Sequence, residues 1–424
     1  MLRYVLTFLA AALAGDLSAQ EFETLKGHGG PIMGIAVSPD GEVASASFDN
    51  SVGLWAGGTP VWLEGHEAAV TAIAFGPNGE LVTGGDDFAV RLWGRAPRLL
   101  GQHQGKVAGV AVSPNGDLVA SGSWDGTIRL WPLDGSAAQT LPPPGAGVND
   151  VAFDPGGEHL YASTSAGLVL RYDLAGGTPA PLARHGFGVN CLIVGEGWVA
   201  YGAVDGGTRV IDAESGAQIA DFTLDRRPVL AMAYNAQTGR IAVGDGHGYI
   251  MVLDTAEWRI VQDFRATRQG PVWALAFSPD GSVLHAGGLE DVVYSWPVGL
   301  LDSFDPEMGN DRTFLRNADS MPNGERQFVR KCSICHALSP GPSRKAGPTL
   351  HGLFGRAAGT VPDYSYSDTL TGSDIVWTAE TVDRLFDQGP DHYIPGSKMP
   401  MQVIAGAGDR EDLIKYLETA TKGD

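Results

Sequence analysis

Phe48-Asp49-Asn50-Ser51-Val52-Gly53-Leu54-Trp55 closes a unit that opens on Gly27-His28 and turns at Ser38-Pro39-Asp40-Gly41. The unit recurs. A second copy runs through Gly65-His66, Pro77-Asn78-Gly79, Asp87 and Leu92-Trp93. A third runs through His103, Ser113-Pro114-Asn115-Gly116 and Asp125-Gly126-Thr127-Ile128-Arg129-Leu130-Trp131, so that Trp55, Trp93 and Trp131 stand 38 residues apart. Four degenerate copies follow, ending near Tyr172, Ile211, Leu253 and Trp296. A fixed period of this length marks an array of stacked supersecondary units, here seven of them.

Each unit reads as short strands of alternating apolar residues broken by Pro-Asp/Asn-Gly turns, which supply the positive φ that a tight turn needs. A unit of four strands cannot bury both faces alone, so neighbours must stack, and closing the ring protects the end faces. The units resemble WD repeats over roughly residues 20–300, most closely in the first three. That resemblance implies an all-β, seven-bladed propeller. It also implies a hydrogen-bonded histidine–aspartate–tryptophan network inside each blade, here His28, Asp49 and Trp55; His66, Asp87 and Trp93; and His103, Asp125 and Trp131. Because each histidine repeats with its blade, the three are not expected to meet as a metal cluster. Glu21 to Leu25 precede the first unit and are expected to supply the outermost strand of the last blade.

The 424-residue chain has a net charge of −20, which excludes nucleic acid as a partner, since nothing would neutralise phosphates. The charge is uneven. Residues 323–424 hold 11 Lys and Arg against 13 Asp and Glu, so nearly all of the negative charge lies before them and two modules are expected. At the N-terminus Arg3 precedes an apolar run from Tyr4 to Ala14 and then Leu17-Ser18-Ala19. Residues 1–19 thus have the layout of a signal peptide cut after Ala19, with an uncleaved anchor as the alternative. No other segment is apolar over the roughly 20 residues that a spanning helix needs, so the mature chain is expected to carry no transmembrane span. The expected location is the periplasm.

Residues 301–322, from Leu301 to Pro322, lose the repeat pattern and read as a linker. Beyond it, Cys332-Ser333-Ile334-Cys335-His336 is a C-x-x-C-H motif, the pattern of covalent haem c attachment. Two thiols three positions apart on a helical turn reach the two vinyl groups of one haem, and the next residue offers its imidazole to the iron from the same side. Zinc would require a second Cys/His pair, and a redox dithiol a surrounding βαβ unit; neither is present. Cys191, the remaining cysteine, is left without a disulfide partner and reads as a small buried apolar residue. A thioether for the opposite face of the ring is offered by Met399 in Pro395-Gly396-Ser397-Lys398-Met399-Pro400, with Met401 as its rival.

Residues 323–424 closely resemble class I cytochrome c, a small all-α domain. The resemblance is carried by Gly347-Pro348-Thr349-Leu350-His351-Gly352-Leu353-Phe354-Gly355-Arg356, Tyr364-Ser365-Tyr366, Trp377 and Tyr393-Ile394-Pro395-Gly396-Ser397-Lys398-Met399. It implies that His336 and Met399 are the axial iron ligands and that the Pro348 carbonyl accepts from the second nitrogen of His336. It further implies that Arg356, Tyr366 and Trp377 contact the haem propionates. Phe386 stands where relatives often carry a tyrosine near the methionine sulfur. Of the lysines with which such domains dock on acidic partners, Lys331, Lys345 and Lys398 remain. Within the domain, Gly324, Phe328 and Val329 are expected on one face of a helix ending in the motif, crossing a second helix capped at Asp409.

The resulting expectation is a periplasmic single-electron carrier with one His/Met-ligated haem c, whose propeller docks on protein partners. Those partners are a redox donor and acceptor, a membrane respiratory complex among the candidates. A nucleophile–base pair and a phosphate-cradling glycine loop are both missing from the repeats, so no substrate turnover is assigned to the chain. The alternatives are a fused redox enzyme whose propeller acts on a small substrate, and a scaffold or assembly factor for a respiratory complex.

Overall fold

The alternation and turns of each repeat are realised as a four-stranded blade. In the first, Ile32–Val37, Val43–Ser47, Ser51–Ala56 and Thr59–Glu64 pair in sequence order. The Asp40-Gly41 turn puts Gly41 at φ 89°, which a side chain would resist. The structure, a computed structural model, describes residues 23–94, 96–224, 228–267, 270–303, 321–341 and 343–422. The expected leader, residues 1–19, and residues 304–320 of the expected linker lie outside the described residues. Among the described residues there are seven such antiparallel sheets and four α-helices.

The seventh blade is built from both ends of the array. Its order is Glu23–Lys26, Val292–Pro297, Val283–Gly288, Val272–Phe277, with Thr24 opposite Tyr294 and Lys26 opposite Val292. The first strand of every blade packs against the first strands of its two neighbours, and Ile32–Val37 against Val272–Phe277 closes the circle. Each of these inner strands bulges at the same point, for example between Val70 and Ala72 and between Val148 and Asp150. Side chains at three bulges reach across to the next blade. Thr71 Oγ1 donates to the Val107 carbonyl at 2.8 Å, Asn149 Nδ2 to Val189 at 2.8 Å and Asn190 Nδ2 to Val229 at 2.8 Å. These bonds tie the bulged end of one inner strand to the preceding blade.

The expected network is present, with one member the sequence reading left out. His28 Nδ1 lies 2.9 Å from Asp49 Oδ2, while Nε2 lies 2.8 Å from Ser45 Oγ, to which Trp55 Nε1 also donates at 2.8 Å. A carboxylate only accepts, so Nδ1 carries the proton, and in the neutral ring Nε2 takes the serine's. Thr83 and Ser121 hold the same place for His66/Trp93 and His103/Trp131. Burial alone would raise the Asp49 pKa, but the bonds it accepts from His28, Ser51 and the Gly29 N–H together outweigh it and hold the carboxyl below its usual range. Each of the three histidines is thus consumed within its own blade. The degenerate fifth blade keeps a version of the pair, His185 Nε2 at 2.8 Å from Asp205 Oδ1.

In the C-terminal domain α1 (Asn323–Lys331), α2 (Ala379–Gln388), α3 (Pro390–Tyr393) and α4 (Ala407–Ala420) surround one core containing Phe328, Leu385, Phe386, Leu413 and Leu417. α1 crosses α4 at Gly324. A Cβ there would stand 2.8 Å from Tyr416 Cβ and collide with the Asp412 carbonyl, so only glycine allows the approach. The expected cap at Asp409 is corrected: α4 starts at Ala407, its N-cap is Gly406, and no side chain caps it. Asp409 instead sits in the first turn, where it and Asp412 accept from Asn323 Nδ2, both at 2.8 Å, tying α1 to α4. Among the described residues no helix is long and apolar enough to cross a membrane.

Candidate functional site

α1 ends because the chain folds back on itself at the C-x-x-C-H motif. The backbone N–H of Cys335 and that of His336 both bond the Cys332 carbonyl, at 3.0 and 2.8 Å. This tight turn brings both thiols and the imidazole to one wall of an open-mouthed cavity of about 360 Å³, within the range of ordinary ligand pockets. Cys332, Cys335, His336, Pro348, Arg356, Tyr366, Trp377, Phe386 and Met399 all line it. The sequence-predicted site residues are therefore gathered in one place, although up to 67 positions separate Cys332 from Met399 in the chain.

The imidazole is fixed from behind. His336 Nδ1 lies 2.8 Å from the Pro348 carbonyl, which can only accept, so the proton is on Nδ1 and Nε2 keeps its lone pair. Burial lowers the His336 pKa and favours the neutral, ligating form. Gly347 makes room for the ring, since a Cβ there would lie 2.5 Å from His336 Cε1. Burial also pushes the Cys332 thiol up to about 12 and raises that of Cys335.

The opposite wall is the loop after α3. Thr369 Oγ1 donates to the Pro395 carbonyl at 2.7 Å, and Ser397 N to Ile394 at 3.1 Å, holding the loop that carries Met399. Met399 packs on the domain core, whereas Met401 is 58 % exposed and lies outside the cavity lining. Phe386 is buried and presents an apolar ring to the cavity.

Arg356 decides whether a dianionic ring fits. Its guanidinium donates to the His351 and Thr349 carbonyls, at 2.6 and 2.8 Å, and no carboxylate among the described residues pairs with it. Burial accordingly lowers its pKa. A half-buried cation without an anion, beside Tyr366 and Trp377, suits a carboxylate brought in by a ligand. Apolar walls, a neutral imidazole, a thioether, two thiols and this cation together match the donor set and charge of haem c.

Residues 322–421 match the cytochrome c family. Cytochrome c of Cochliobolus lunatus is 42% identical over 99 residues, covering 23% of this chain and 91% of that protein. Cytochrome c of Sesamum indicum is 43% identical over 100 residues and that of Arabidopsis thaliana 42% over 99, each with 88% of its length covered. The chain belongs to the cytochrome c family. Ahead of its cytochrome c domain, the WD domain, G-beta repeat family matches residues 19–56, 59–94, 95–132 and 258–296, each stretch carrying three strands of the first, second, third or seventh blade and the outermost strand of the blade before it. The intervening blades complete the ring with weaker repeat character. A cytochrome c domain supports electron transfer with haem, and a WD propeller supports interaction with proteins.

Proposed function

We propose that this protein is a periplasmic electron carrier in which one haem c is bonded to Cys332 and Cys335 and ligated by His336 and Met399. The observation that carries this reading is the single cavity lined by all four residues, with His336 already oriented by Pro348. Bound there, haem supplies one-electron redox chemistry. His336 would hold the metal through Nε2 and Met399 through its thioether, leaving no position for small ligands, and the apolar wall around Phe386 would exclude water. Arg356 would neutralise the propionates and Tyr366 would hydrogen-bond them, which would keep the ring seated. The acidic propeller serves as the platform that selects protein partners, and its charge favours a basic partner surface. Export is supported by the N-terminal pattern of Arg3, the apolar run and Leu17-Ser18-Ala19.

The test is expression in a host that attaches haem c, followed by fractionation and denaturing separation. Haem should stay with the polypeptide, and the periplasmic protein should begin at Gln20. The Cys332→Ser/Cys335→Ser double variant should lose haem on denaturation. Haem that leaves the wild-type chain under the same conditions would refute covalent attachment. An uncut cytoplasmic chain would refute the location.

A further inference from the structure

The mouth of the cavity faces the propeller. Its rim is completed by Phe48, Asn50, Glu67, Ala68, Ala69 and Asp86 of the propeller. In an antiparallel four-stranded blade the loop entering the first strand and the turn between the second and third lie at the same end. Those six residues come from such loops and turns of blades 1 and 2, so they form one continuous patch of one propeller face.

Cations from both sides of the mouth fasten this contact. Beside the C-x-x-C-H turn, Lys345 Nζ donates to the Ser333 carbonyl at 2.8 Å and to the Gly29 carbonyl of blade 1 at 3.1 Å. Its neighbour Arg344 stacks on the Trp62 ring at 4.0 Å and donates to Glu64 Oε1 at 3.1 Å. Across the mouth, next to Met399, Lys398 Nζ lies 4.0 Å from Glu67 Oε2. The backbones touch as well: a Cβ added at Gly29 would run into the Arg344 carbonyl and stand 2.8 Å from Lys345 N. Phe48 is half-buried here, while Trp124, at the matching turn position of blade 3, is 58 % exposed.

We propose that blades 1 and 2 form a lid over the haem edge, so that an external redox protein reaches the haem only when the cytochrome domain undocks. The inference rests on the haem site proposed above. Two of the three lysines left for docking on a partner, Lys345 and Lys398, are engaged by the chain's own acidic propeller. The fastening ion pairs are partly exposed, so salt screens them and shifts the pair of domains toward the open form. Covalent connection makes redocking unimolecular, so dilution does not open the lid but ionic strength does.

The full-length holoprotein tests this with two variants that lie in the propeller and leave the cytochrome domain's own residues unchanged. Gly29→Ala introduces a collision whose three nearest atoms all belong to Arg344 and Lys345 of the cytochrome domain, and Glu64→Arg/Glu67→Arg reverses the charge at two exposed positions. Acetylation of Lys345 and Lys398 with acetic anhydride is followed by mass spectrometry at low and high salt. In parallel, oxidation of the reduced protein by 1,4-benzoquinone, an uncharged oxidant, is timed. Either variant, or high salt on the wild type, should raise lysine acetylation at least about fivefold, in step with the open population. Oxidation should accelerate with it, with the haem spectrum unchanged. Equal acetylation of wild type and both variants at both salt levels overturns the lid. Loss of the haem c spectrum in the wild type instead overturns the site reading, and the lysine measurement still decides the lid.

Discussion

His336 and Pro348 are joined by a 2.8 Å bond between the imidazole Nδ1–H and the backbone carbonyl, and this bond fixes which nitrogen faces the cavity. No side-chain substitution removes a carbonyl, but the space behind the ring can be filled. Gly347→Ala would set a methyl group 2.8 Å from His336 Nδ1. Overpacking of this kind costs about 1–3 kcal/mol. Denaturant unfolding of the haem-loaded protein should show that loss, together with a change in the absorption spectrum that reports a turned ligand.

Met399 and Met401 are separated by a simple ligand test. Reduced wild-type protein should not bind carbon monoxide, because a thioether fills the position opposite His336. Met399→Ala should bind it at one equivalent per haem, and Met401→Ala should behave as wild type. Carbon monoxide binding by the Met401 variant would reverse the assignment.

Ser45 is a single hydroxyl serving two buried rings, His28 Nε2 and Trp55 Nε1, both at 2.8 Å. Ser45→Ala leaves a buried donor and a buried acceptor unmatched, at a cost of about 2–4 kcal/mol. Urea unfolding of the variant should show the shift, and Thr83→Ala should show a comparable one in blade 2, where the geometry repeats.

His285, buried in blade 7 at 2.8 Å from Ser295 Oγ, has its pKa pushed down to about 4 by burial. In the unfolded chain it titrates near the usual value of about 6.5, so between those limits the unfolded state binds more protons. Its contribution is therefore complete above about pH 6.5 and is lost as pH falls toward 4, at most roughly 3 kcal/mol. Subtracting the stability–pH curve of His285→Gln from that of the wild type should leave this slope and little else.

The repeat pattern and the C-x-x-C-H motif were legible because each ties an uncommon residue to a fixed spacing. Trp55, Trp93 and Trp131 mark blade ends wherever they fall, and Met399 could be found from the Pro/Gly frame around it. Ser45, Thr83 and Ser121 escaped notice because serine and threonine are common in strands, and only the folded register shows them between a histidine and a tryptophan. His185 and Asp205 were missed for a related reason, since the fifth blade keeps the pair without the flanking signals. Asp409 misled in the other direction. An aspartate near a helix start reads as a cap, but here its carboxylate is spent on Asn323. The contact of Arg344 and Lys345 with Glu64 and Gly29 has no local signature, because its halves lie far apart in the chain and neither is odd by itself.

The pairing of Thr24 with Tyr294 also sets a clock. At about 5–20 residues per second, a ribosome needs on the order of tens of seconds to go from one to the other. Through that interval the strand Glu23–Lys26 has no edge to join, and the seventh blade does not exist. The ring is fastened last by the segment made first, so its earliest strand is a waiting, unpaired template for wrong neighbours. Any factor that guards the nascent chain would do most good at those four residues.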